Sequence, residues 1–130
     1  MEKWELKPLE SIGKIAFGMD RDQVHQLFAE GCREFKKSKF SKNTTDDYGK
    51  FHVFYTADNK VEAVEIFDDI EVTFEGAVIF PAALEEAESI LGSMAEDCGS
   101  YIQVEKSVGI YAPEKEAESI LAGEKGYYQE

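Results

Sequence analysis

At 130 residues the chain has the size of one ordinary domain, large enough to bury roughly two-thirds of its unfolded surface without disulfide or metal staples. Its 27 acidic residues outnumber 14 basic ones, and a net charge of −13 disfavours nucleic acid and anionic membranes while favouring encounter with a basic partner. No apolar run approaches the ~20 residues of a membrane span, and Met1 to Lys7 lacks the apolar core of a signal peptide, so the cytoplasm is the expected compartment.

No Gly/Ser-rich or Pro-rich linker interrupts the sequence, which is read as a single domain over 1–130. Ile12 to Phe17 is an extended leading segment. With Asp20 as N-cap, Gln23 stands where a capping box needs it, and Met19 and Val24 stand where a hydrophobic staple would put them. Val24, Leu27 and Phe28 then mark the buried face of a helix that Gly31 ends. Arg33 to Lys42 interleaves five basic residues with Phe35 and Phe40 and fits a strand, a short helix or an ordered loop. The extended form is the reading adopted, with both rings packed inward and the lysines in water. Ser41 to Gly49 is polar and reads as a loop.

Phe51 to Thr56 and Lys60 to Phe67 flank Ala57, Asp58 and Asn59 as the arms of a hairpin. Ile70, Val72 and Phe74 alternate with Glu71, Thr73 and Glu75, the period of a sheet with one wet face, and the strand continues or bends near Gly76 toward Phe80. Pro81 suits a first helical turn, after which Leu84, Ala87, Ile90, Leu91 and Met94 form an apolar stripe. Tyr101 to Val104 and Val108 to Ala112 are two further strands. The hexapeptide Glu86 to Leu91 recurs unchanged as Glu116 to Leu121, and the second copy, confined between Pro113 and Gly123, is expected to be a terminal strand.

Four segments stand out: the stretch Ile15 to Asp20 before an amphipathic helix, the hairpin ending in Glu65, Ile66 and Phe67, the run Gly109 to Pro113, and the closing Lys125 to Tyr128. In these the chain resembles small bacterial immunity proteins that accompany polymorphic or contact-dependent-inhibition toxins. The resemblance implies a cytoplasmic antidote that binds its cognate toxin domain, often a nuclease, and blocks its active site or substrate groove. It transfers no contact residue, because toxin recognition varies from protein to protein in such systems.

Residues 1–50 hold ten basic and nine acidic side chains, net +1, whereas residues 51–130 hold four and 18, net −14. The carboxylates Asp46, Asp47, Asp68, Asp69, Glu71 and Glu75, with Thr73 between the last two, are the candidate partner-binding positions, as electrostatic contacts on an acidic sheet face. Their spacing fits no metal motif, so a metal-assisted hydrolase is a minor alternative. His25 and His52 read as structural, and Cys32 and Cys98 as reduced thiols packed like small apolar groups. The glycines form no phosphate cradle. The basic strip from Arg33 to Lys42 is the one feature that hints at nucleic acid, and the net charge opposes it. Trp4, Tyr127 and Tyr128 are candidate exposed anchors.

The expected fold is therefore α+β, an antiparallel sheet of about five or six strands packed against two main helices. The expected function is non-catalytic, without metal or cofactor: inhibition of a cognate, basic toxin domain by direct binding. The alternative is a protein-interaction module of a larger assembly or a homodimer.

Overall fold

Period-two alternation pervades the chain, and the computed structural model, which describes residues 1–128, realises most of it as strand. The first half contains β1 (Glu2–Lys7), β2 (Ser11–Ile12), β3 (Ile15–Ala16), α1 (Arg21–Leu27), β4 (Arg33–Phe35), β5 (Thr45–Asp47), β6 (Phe51–Tyr55) and β7 (Val61–Ile66). There follow β8 (Ile70–Phe74), β9 (Ala77–Phe80), α2 (Leu84–Leu91), β10 (Ala95–Asp97), β11 (Ser100–Gln103), β12 (Val108–Tyr111) and β13 (Ser119–Gly123). α+β describes the chain coarsely, but the expected single sheet is two. One has five strands in the order β3-β2-β1-β8-β9, and the other eight in the order β10-β11-β12-β13-β7-β6-β5-β4.

The first sheet is not wholly antiparallel, since β1 runs parallel to β8 with Trp4 beside Val72. Alternation in β1 turns Trp4 and Leu6 inward and leaves Lys3, Glu5 and Lys7 exposed. Trp4 is 4% exposed and meets Phe51 of the larger sheet edge-on at 4.8 Å, so it is a core residue and not a surface anchor. One apolar cluster joins both sheets to Val24 of α1 and to Leu84, Ala87 and Leu91 of α2.

The capped helix start is present: the Asp20 N–H donates to Gln23 Oε1 at 3.0 Å. The helix stops at Leu27, earlier than Gly31, and Leu27 is exposed instead of buried. Ser41 to Gly49 is not a loop throughout, because Thr45 to Asp47 pairs on both sides, with β4 and with β6. Its polar composition hid a strand whose buried members are Thr45 and Asp46. Glu75 and Gly76, both at positive φ, reverse the chain into the β8–β9 hairpin where continuation or a bend was expected. α2 begins at Leu84 after Ala83, so Pro81 precedes the helix and is not in its first turn. Phe40 is 81% exposed and Phe35 is also exposed, contrary to the inward packing expected of both rings. No helix is long and apolar enough to cross a membrane among the described residues.

Candidate functional site

The larger sheet has a core face and an outer face, and its register decides which carboxylates share the latter. Asp47 lies beside His52, His52 beside Glu65, Glu65 beside Leu121, and Leu121 beside Gly109. Laterally paired residues project to one side of a sheet, so this row crosses β5, β6, β7, β13 and β12 on a single face. Two residues along, Tyr111 pairs with Ser119 on the same face, followed in space by the exposed Glu118. Together Asp47, His52, Glu65, Phe67, Tyr111, Glu118 and Ser119 line a shallow cleft of about 510 Å³.

His52 is the centre of this surface. Its Nε2 is 3.4 Å from Asp47 Oδ1 and its Nδ1 is 3.7 Å from Glu65 Oε1, while Phe35 and Phe67 approach the ring edge-on at 5.0 and 4.7 Å. The rings fix the imidazole between two carboxylates. Among the described residues neither Asp47, Glu65 nor Glu118 forms an ion pair with a lysine or arginine. The flanks of the face are covered: Lys37 lies over the Phe54 ring at 4.1 Å. On the other side Tyr127 and Tyr128 occupy the space that a Cβ on Gly123 or Gly109 would need. Both tyrosines are half-buried, packed edge-to-face at 5.2 Å.

The seven positions expected from sequence separate. Asp47 joins the outer face just described. Asp46, one residue earlier, points to the opposite side and is fully buried, which removes it from any exposed contact surface. Asp68 and Asp69 are exposed in the β7–β8 turn, Glu71 and Thr73 belong to β8 of the other sheet, and Glu75 stands in the turn that follows β8. Of these, Asp69 is paired with Lys50 at 2.7 Å, and Glu71 faces Lys3 at 3.9 Å. The expected acidic face on β8 is thus partly neutralised by β1 and by the turn before β6. Glu65, Glu118, Phe67 and Tyr111 were missed as a group, since only sheet register brings them together.

Asp46 anchors a second constellation on the core side. Its Oδ1 accepts from Arg21 Nη2 at 2.6 Å, and its Oδ2 lies 2.7 Å from both His25 Nε2 and the donating Tyr55 hydroxyl. Burial alone pushes this carboxyl up, but the hydrogen bonds from Arg21, Tyr55 and His25 outweigh burial and hold it below the ordinary carboxylate range. Arg21 also donates to Asn43, Thr44 and Asn59 and lies 4.4 Å above the Tyr55 ring, tying α1 to the β4–β5 connection and the β6–β7 turn. Cys32 Sγ stands 4.0 Å from His25 Nε2. This is not a nucleophile relay: one imidazole nitrogen faces both the carboxylate and the sulfur. Burial and the Asp46 charge moreover push the Cys32 thiol up, where a nucleophile needs it lowered.

Comparison with protein-family models, with curated proteins and with solved structures finds no match to this chain. The functional reading therefore rests on the geometry of these two constellations.

Proposed function

We propose that the chain is a non-catalytic binding protein that inhibits a basic protein partner, docking it on the open centre of the eight-stranded sheet. One observation carries this reading. Asp47, Glu65 and Glu118 converge around the exposed Tyr111 and half-buried Phe67, without lysine or arginine partners among the described residues. Carboxylates not neutralised by lysine or arginine, set around aromatic rings, suit a cationic groove, because the rings supply buried area and the charges supply steering. The resemblance to immunity proteins gives the same reading a biological form, a cytoplasmic antidote to a toxin domain.

Assembly through the edges of the eight-stranded sheet is less well supported. Its edge strands β4 and β10 are three residues each and carry Arg33, Glu34, Glu96 and Asp97, the short charged edges that discourage strand addition.

The test is copurification from the native organism, followed by binding kinetics with the captured partner. Glu65→Lys with Glu118→Lys should abolish capture, while Asp68→Lys on the remote turn leaves it intact. Equal capture by all three proteins would reject the outer face as the docking site.

A further inference from the structure

The Asp46 constellation is separate from the outer face, and its chemistry is not that of an ordinary structural ion pair. α1 places His25 in its last turn, and Gly31, at φ +83°, helps return the chain so that Cys32 comes back against that turn immediately before β4. β4 pairs with β5, setting Glu34 beside Asp46. An imidazole nitrogen, a thiol sulfur and a carboxylate oxygen thereby come within 4.8 Å of one another.

We propose that His25, Cys32 and Asp46 form a binding site for a thiophilic divalent cation of the zinc class, with solvent completing the coordination.

The donor set is nitrogen, sulfur and oxygen, which suits zinc and excludes the hard cations that demand oxygen alone. Bond lengths of about 2.0–2.3 Å put the donors of a tetrahedral site roughly 3.2–3.7 Å apart. The observed separations of 2.7 Å for nitrogen to oxygen and 4.0 Å for sulfur to nitrogen bracket that spacing, so side-chain adjustments suffice. Arg21 holds Oδ1, and Oδ2, which accepts from Tyr55, faces the imidazole; a hydrogen bond on the non-ligating oxygen is the usual way a carboxylate ligand is oriented. A second observation points to the same place. The Tyr48 hydroxyl, two residues along the chain from Asp46 and beside the Cys32 thiol, is buried without a hydrogen-bond partner. A metal-bound thiolate would give it an acceptor. His25 is exposed and Cys32 half-buried, so an ion can enter from solvent.

The test uses the full chain, reduced and stripped with chelator, titrated with cobalt(II) and then with zinc(II). One equivalent of cobalt should produce a sulfur-to-metal charge-transfer band that zinc bleaches. Cys32→Ser should abolish the band and weaken zinc binding at least tenfold, and His25→Gln should weaken it at least tenfold. Cys98→Ser, which changes the other, exposed thiol, should leave both unchanged. Absence of a band in the wild-type protein overturns the site, since that result needs no variant to fold. So does a band that survives Cys32→Ser or vanishes with Cys98→Ser. None of these results bears on the outer face, whose test is partner capture.

Discussion

Arg21 and Asp46, 25 residues apart in sequence, meet at 2.6 Å with the carboxylate fully buried and the guanidinium side chain 11% exposed. The pair joins the first turn of the helix to the inner side of a strand that composition disguised as loop. Removing one member of a buried pair leaves the other charge uncompensated, at a cost of about 3–5 kcal/mol. Asp46→Ala should lower the urea midpoint accordingly, with the slope of the transition unchanged. A loss below about 1 kcal/mol would mean that Arg21 finds water or Glu34, which lies 3.4 Å from it.

The two tyrosines after β13 predict a coupling. A Cβ on Gly123 would stand 2.7 Å from Tyr127 Cβ and Cγ, atoms close to the backbone that cannot swing away. Gly123→Ala should destabilise by about 1–3 kcal/mol, the range for overpacking. In the double variant with Tyr127→Gly, which removes both atoms, the penalty of the Gly123 change should largely vanish, which a double-mutant cycle by denaturant titration measures.

Glu124 supplies a pH dependence of defined sign. Burial, reinforced by the nearby Glu62 carboxylate, raises its pKa in the folded chain. A carboxyl raised on folding contributes stability that is fully present below its unfolded value, near pH 4.3, and lost as pH rises through the folded value. Glu124→Gln should therefore be slightly more stable than wild type at pH 7 and lose that advantage toward pH 4. Parallel thermal melts across that interval would show the difference closing, and a constant offset would refute the assignment.

For the docking face, neutral replacements separate steering from packing. Glu65→Gln with Glu118→Gln should slow association by roughly tenfold and flatten its salt dependence, with dissociation changed less. Tyr111→Ala should act chiefly on dissociation, because the exposed ring supplies contact area. Stopped-flow or surface-based kinetics at two ionic strengths distinguishes these outcomes.

Local patterns in the sequence were enough to place the Asp20 cap, the β6–β7 hairpin, β8, and the strands β11 and β12, because each depends on neighbours within a few residues. Charge asymmetry was likewise legible, whereas the identity of the acidic face was not. Glu65 and Glu118 lie in different parts of the chain and become neighbours through the β7–β13 pairing. The same limit hid the approach of His25, Cys32 and Asp46, whose spacing matches no short ligand motif. It also hid the short strands β5 and β10, whose composition is polar, while β4 falls at the start of the segment expected to be extended.

The repeated hexapeptide marks the boundary between the two kinds of information. Glu86 to Leu91 is helical, its Leu91 buried in the common core, whereas Ser119, Ile120 and Leu121 of the identical copy lie in β13 between β12 and β7. Pro113 and Gly123 limited the second copy to a length at which helix is marginal, and that much was local. The six residues alone cannot choose, since their intrinsic preferences differ by less than the packing each state gains. Ile120, fully buried and flanked by Ile66 and Ile110, is held as strand by ladder partners 54 and 10 residues away, a stabilisation that exists only once the eight-stranded sheet has formed.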